Sequence, residues 1–458
     1  MAYLLSEVVV IICFIALVIV LFDERKDYLV YSFLIVIIAG IFTAINIEEA
    51  RELESYVDAI EWDVIFFLIA MFAIVEILKE ALVFHYIAKK IVNKYQNNIR
   101  KMFWMICSIS TISASIIEDL SVAIIFIPII IETCKELEIN PRPFLMGMTV
   151  CINLASTLTP FGSAENVMIA SYFEIGLLFF LKYVALFFLI GTGITLYLAD
   201  KRLLKKELTK KWKTPQEDRP SQTKNIDTSA MEVVDHAVLG EIHPSKKVLR
   251  KNFLGLAIFI ILLIVIPDLY LAGFIGLLIF VFLNPRKDKK GKKRPNVTEV
   301  FRKADYKLIY FFICLFILVH LMELNGFVLF VERQIQNLGI NNVFVLSIII
   351  LLITSVLSGL LDNAPVTVLF LPIIELFTAG HPGYEIPFII AMILGINLGG
   401  NFLPQGSAAD MMTLELSEEF SVEGVNYKSL VKVGGLFALL HIVIGIGYLA
   451  LVIYVFPI

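Results

Sequence analysis

The chain has 458 residues, of which 59% are hydrophobic and 17% charged, and its formal net charge is −4. Soluble domains are roughly half apolar, so a mean hydropathy of +0.85 excludes a soluble globular protein and points to an integral membrane protein. The expected partners are the lipid bilayer and small inorganic ions, with no nucleic acid among them.

Apolar stretches recur from end to end, each long enough to cross a hydrocarbon core of about 30 Å as a helix. A β-barrel would instead show short alternating segments. In chain order the candidate spans are Leu4 to Phe22, Tyr28 to Ile45, Trp62 to Ala81, Phe144 to Tyr172, Gly176 to Leu198, Phe253 to Pro267, Leu269 to Leu283, Lys307 to Phe330, Pro387 to Met412 and Leu430 to Val455. The first lacks a basic leader and a cleavage site and reads as a retained helix. Two further stretches, Phe103 to Cys134 and Val343 to Ala379, are too long for one crossing, too short for two, and polar at their middle. Cys13, Cys107, Cys134, Cys151 and Cys314 show no ligand-like spacing, so neither a disulfide framework nor structural zinc is expected.

Basic residues accumulate on the cytoplasmic side of a membrane protein. Arg25-Lys26, Lys89 to Lys101, the connector after residue 199 and Arg286 to Arg294 are the basic loops. They share one side only if Phe103 to Cys134 enters and leaves by the same face. The loops of 199–251 and 284–304 are then cytoplasmic, in a multi-pass protein of the plasma membrane. Five crossings and one hairpin per half make the halves inverted. The expected fold is therefore an all-α polytopic membrane protein with about 10 transmembrane helices and two re-entrant helical hairpins in two inverted repeats. The expected divisions are 1–199 for the first repeat, 200–251 for a polar cytoplasmic linker and 252–458 for the second repeat. His236 and His243 in that linker read as solvated side chains rather than metal ligands.

The repeat is written in the residues themselves. Glu118-Asp119-Leu120-Ser121, Pro128 and Asn153 to Ala164 in the first half answer to Asp362-Asn363-Ala364-Pro365, Pro372 and Asn397 to Ala408 in the second. Pro128 and Pro372, Asn153 and Asn397, and Ser163 and Ser407 are each 244 residues apart. Doubled, broken hydrophobic segments mark the substrate site of a secondary transporter. A break at membrane depth is tolerated only where it lines protein or a water-filled cavity. Asp362 is placed to cap a half-helix, with Pro365 near its start.

Carboxylates near mid-membrane must pair, protonate or bind a cation. The candidate substrate and ion ligands are Glu118, Asp119, Ser121, Asn153, Ser156, Thr157, Ser163, Asp362, Asn363, Asn397, Asn401, Gln405 and Ser407, with Thr159 as a further oxygen. Sodium is expected at Asp119, Asn153, Asp362, Asn363 and Asn397. Glu165, Asp410, Glu76 and His320 are candidates for proton coupling; the last two are also 244 residues apart.

With these residues the chain resembles the ion transporter superfamily, in particular the branch of NhaD-type sodium/proton antiporters, arsenite permeases and the pigment-cell P protein, which shares the CitMHS-like fold. The most specific pieces are Leu361-Asp362-Asn363-Ala364-Pro365 and Leu398-Gly399-Gly400-Asn401-Phe402-Leu403-Pro404-Gln405-Gly406-Ser407-Ala408. The resemblance implies a homodimeric scaffold carrying a mobile transport domain. The Ser-Asn-Thr tips of dicarboxylate carriers are absent. Glu118-Asp119 stands where the branch usually has Asp-Asn or Asn-Asn.

The expected function is a proton-coupled cation antiporter, Na+/H+ or Li+/H+, that is not an enzyme and uses no cofactor. A proton-coupled arsenite, antimonite or other oxyanion permease is the alternative, and a sodium-coupled carboxylate carrier ranks below it. A channel would not need two inverted hairpins, and no His-Glu-x-x-His, Gly-x-Ser-x-Gly or phosphate-cradling motif is present for an enzyme.

Overall fold

The computed structural model describes residues 2–21, 27–205, 244–287, 293–302, 305–337, 339–340 and 342–456. Most of the expected linker, including His236 and His243, and the basic pair Arg25-Lys26 lie outside the described residues.

Apart from a two-residue ribbon at Arg286–Lys287 and Lys293–Arg294, the regular structure is helical. In the first half the helices are α1 (Ala2–Leu21), α2 (Tyr28–Asn46), α3 (Leu53–Asp58), α4 (Trp62–Glu80), α5 (Val83–Tyr95), α6 (Ile99–Ala114), α7 (Asp119–Glu136), α8 (Arg142–Ala155), α9 (Ala164–Tyr172), α10 (Leu177–Tyr183) and α11 (Ala185–Ala199). In the second they are α12 (Lys246–Val265), α13 (Leu269–Leu283), α14 (Val297–Phe301), α15 (Tyr306–Leu324), α16 (Phe327–Asn337), α17 (Val343–Leu360), α18 (Asn363–Gly380), α19 (Glu385–Gly399), α20 (Ala408–Glu419) and α21 (Tyr427–Tyr454). Six of these are long and apolar enough to cross a membrane, and α9 with α10 passes the same test as a pair bent by 102°. The protein is an all-α polytopic membrane protein.

The spacing of 244 governs the helices as well as the motifs. Six helices, α12, α15, α16, α17, α18 and α20, each begin 244 residues after their counterparts α1, α4, α5, α6, α7 and α9. Packing is reciprocal: α2 lies against α15 and α13 against α4, while α9 lies against α18 and α7 against α20. Each half thus offers the same two surfaces to the other, as elements related by a pseudo-two-fold axis do.

The expected span Trp62 to Ala81 matches α4 to within one residue, whereas Lys307 to Phe330 runs past the end of α15 at Leu324. Each stops at a left-handed residue, Leu82 (φ 53°) and Gly326 (φ 83°), again 244 apart. A left-handed turn is open to Gly and strained for Leu. It redirects the chain into amphipathic helices α5 and α16, which the search for long apolar runs did not detect. On α5, Val83, Phe84, Ala88 and Val92 are buried and Lys90 and Lys94 exposed.

The polar middles of the two ambiguous stretches are helix breaks. α6 ends before residues 115–118 and α7 folds back along it; α17 and α18 do the same around Leu361 and Asp362. The expected spans Phe144 to Tyr172 and Pro387 to Met412 are likewise broken, by residues 156–163 and 400–407. At the far end of α6, Arg100 binds the buried carboxylate of Asp200 at the end of α11, with Nε to Oδ2 at 2.7 Å.

Candidate functional site

Two hydrogen-bonded clusters of matching design join the halves. In one, Asn153 of α8 donates through Nδ2 to Asn401 Oδ1 (3.0 Å) and Asp410 Oδ1 (3.2 Å), and its Oδ1 accepts from Ser407 Oγ (2.9 Å). In the other, Asn397 of α19 donates through Nδ2 to Asn166 Oδ1 (2.9 Å) and Ile393 O (2.8 Å), and its Oδ1 accepts from Ser163 Oγ (3.3 Å). Asn153 corresponds to Asn397, Ser163 to Ser407 and Asn166 to Asp410, each pair 244 apart. All six are almost fully buried, so their polar atoms depend on one another for partners.

The local sequence explains how the breaks are held. Ser163 and Ser407 stand extended at the N-caps of α9 and α20, and Ser163 Oγ also accepts from Asn166 N at 3.3 Å. Gly399 is required by close approach: a Cβ there would fall 2.3 Å from Ser355 O and 2.7 Å from Ser355 Cα. Gly400 is hemmed in by Gly406 O at 2.9 Å. The Asn363 amide, with Nδ2 turned to the carbonyls, donates to Gly406 O (3.0 Å) and Ile396 O (3.2 Å) and meets Ser358 Oγ. This ties the tip of the second hairpin to the unwound segment.

Four helix N-termini, of α7, α9, α18 and α20, carry acidic residues in their caps or first turns: Glu118 and Asp119, Glu165, Asp362, and Asp410. The partial positive charge of an N-terminus favours a carboxylate there. Asp362 does cap α18, with Oδ1 accepting from Ala364 N at 3.0 Å, and Asp119 Oδ1 accepts from Leu120 N at 2.8 Å. The tips of the hairpins approach each other: Asp119 lies within electrostatic range of Glu165 and Asp362, and Glu165 within range of Asp362. Glu118 differs from them, since half-buried Lys79 reaches it electrostatically and Ser121 Oγ contacts it at 3.4 Å.

Other expected residues stand apart from these clusters. Gln405 Oε1 accepts from the Tyr427 hydroxyl at 2.8 Å. Thr157 and Ser156, at the start of the first break, donate back to the end of α8 at Leu154 O (2.8 Å) and Ile152 O (3.3 Å), and Thr159 to Ser115 O (2.7 Å). His320 lines a separate cleft of about 150 Å³ with Asp58, Glu61, Tyr172 and Glu323, where its Nε2 meets Ser55 Oγ at 2.9 Å. Glu76 is half-buried on α4. Burial pushes the Glu61 carboxyl up, and Asp63, Glu323 and Glu375 add to the effect. No group of three or more His, Cys, Asp or Glu is arranged to hold a metal ion among the described residues, so an alkali cation would depend on amide, hydroxyl and carbonyl oxygens as well.

The sequence reading missed Asn166 and Ser358. Asn166 donates to Ser156 O and Thr159 O across the first break. Its signal was available, since it occupies the place that Asp410 holds in the second half.

Residues 14–395 match the family of citrate transporters, CitMHS. The chain belongs to this family. Its relatives include an uncharacterized transporter of Mycobacterium tuberculosis, 24% identical over 79% of this chain and 80% of that protein. The mouse P protein is 22% identical over 87% of this chain and 54% of its own length. Among solved structures, the YdaH transporter of Alcanivorax borkumensis, whose topology is described as unusual, superimposes with a TM-score of 0.59 at 11% identity, covering 99% of this chain and 98% of that one. The fold is that of a transporter of the ion transporter superfamily, and the chain is a membrane transporter.

Proposed function

We propose that this CitMHS-family transporter is a proton-coupled cation antiporter that exchanges sodium or lithium for protons by alternating access. The observation that carries the reading is charge. Asp119, Glu165 and Asp362 converge at the tips, Asp410 is buried in the cluster between the halves, and no Lys or Arg side chain is fully buried among the described residues. Two like charges 4 Å apart repel by about 4 kcal/mol at an effective dielectric constant near 20, so these carboxylates favour a cation or a proton over an anion. Competition of the two ions for the same oxygens enforces exchange, because neither carboxylate state is tolerated empty at membrane depth. In this reading the hairpins are re-entrant, the basic loops face the cytoplasm, the membrane is the plasma membrane, and the protein works as a homodimer.

Carboxylate transport is the second reading, supported by the description of the family. Everted membrane vesicles carrying a preset pH gradient test both. Sodium or lithium is expected to dissipate the gradient. If neither does, the antiport reading fails; dissipation by citrate alone would put the second reading in its place.

A further inference from the structure

The correspondence between the halves extends to the backbone of the two breaks. Gly162 N donates to Thr159 O (3.4 Å) as Gly406 N does to Leu403 O (2.9 Å). A Cβ on Gly162 would meet Ser156 O at 3.2 Å and Ala114 O at 3.3 Å; one on Gly406 would meet the corresponding Gly400 O at 3.0 Å and Ser358 O at 2.8 Å. Two loops of one shape are therefore overlaid by different side chains, an amide from Asn166 and a carboxylate from Asp410.

Asn166 uses its amide fully. Its Oδ1 accepts from Asn397, and its Nδ2 bridges Ser156 O and Thr159 O, the latter at 3.0 Å. Asp410 Oδ1 accepts from Asn153 in the same manner. By the spacing of 244 its Oδ2 answers to the Asn166 amide nitrogen, an acceptor where the first half has a donor. Among the described residues no side chain donates to Asp410 Oδ2, Gly400 O or Leu403 O. Leu403 O accepts from Gly406 N, but the side-chain donor that Asn166 supplies to Ser156 O and Thr159 O in the first half has no counterpart in the second, and a buried carboxylate without a positive partner is strongly disfavoured. Beside the Asp410 carboxylate Asn401 Nδ2, in a residue 1% exposed, has no partner and calls for an oxygen ligand.

We infer that one monovalent cation binds between Asp410 Oδ2 and the carbonyls of Gly400 and Leu403, in the position that Asn166 Nδ2 fills in the first half. A water of the ion's shell satisfies Asn401 Nδ2. A proton on Asp410 replaces the ion, one charge for one. The first half has no such site, because Asn166 already supplies the donor. The role of the proton rests on the antiport reading; the binding site does not.

The test is thermal unfolding of the purified full chain in choline, sodium or lithium chloride at constant ionic strength and pH. A ligand that binds only the folded state raises Tm, strongly by about 100 times its Kd, so the wild type is expected to gain several degrees in sodium or lithium. Asp410→Asn, whose amide can bridge Gly400 O and Leu403 O, is expected to be at least as stable in choline and to lose the ion-dependent shift. Asn166→Asp is expected to be less stable in choline and to be restored by sodium. A wild type without the shift, or Asp410→Asn with the wild-type shift, overturns the inference. If Asp410→Asn is not recovered folded, Asn166→Asp decides: a loss that neither ion reverses overturns it. Vesicle exchange is read separately. A shift without exchange leaves the site standing and refutes antiport; exchange with an unaltered shift in Asp410→Asn refutes the site.

Discussion

Truncating Asn153 to Ala removes the hub through which the first half holds the second. Three bonds disappear, to Asn401 Oδ1, Asp410 Oδ1 and Ser407 Oγ, and all three partners are buried. A neutral buried group left unpaired costs about 1 to 3 kcal/mol, and a bond to a charged group is worth about 1.5 to 3, so the gross loss is about 3.5 to 9 kcal/mol. The vacated space admits a water of about 30 Å³ that can reach two to four partners, which returns part of this. A net loss of about 2 to 5 kcal/mol is expected. The assay is denaturant unfolding in detergent micelles, read as a fall in midpoint at unchanged slope. Asn397→Ala is the companion. Its partners, Asn166, Ser163 and Ile393 O, are neutral, so it should cost less. A change below about 0.5 kcal/mol for Asn153→Ala, within the range of ordinary surface substitutions, would refute the view that the clusters hold the halves together.

Asp362→Asn is expected to abolish exchange while the protein remains folded, because Asn is as good an N-cap as Asp; retained exchange moves coupling to the other carboxylates. Gly399→Ala should lower Tm and cost about 1 to 3 kcal/mol or more, since the new methyl meets the Ser355 backbone and only separation of α17 from α19 relieves it; an unchanged Tm refutes this. Glu61→Gln should raise Tm at neutral pH. Folding raises the Glu61 pKa, so its ionised form opposes folding above that pKa, and the two proteins should converge below the unfolded value of about 4.3. A gain as large at about pH 4 as at neutral pH contradicts the electrostatic cause.

Much of the site was legible before any coordinates. Asn153, Asn397, Ser163 and Ser407 stood out because breaks in apolar helices are local features, written in Gly, Pro and Ser and repeated at one spacing. Asp362 was read as a cap from its neighbours, and it caps α18. Asn166 escaped because it sits inside a helix and nothing nearby marks it. Glu118 stood beside Asp119 among the candidate ligands, and only packing brings Lys79 of α4 within its reach. Gln405 belonged to the motif, yet its side chain turns to Tyr427. Helices α5 and α16 were missed because amphipathic segments lack the long apolar run that marks a span.

The sequence by itself determined that this is a membrane protein of two related halves, where the helices break, and which residue types stand at each break, because hydropathy, turn residues and a fixed spacing are properties of the chain alone. Tertiary structure decided which side chain meets which. The deciding bonds join residues 231 to 257 positions apart, and their partners follow from how one half seats against the other. That seating separates Asn166, whose amide donates across its own break, from Asp410, whose carboxylate has no donor to offer the matching carbonyls.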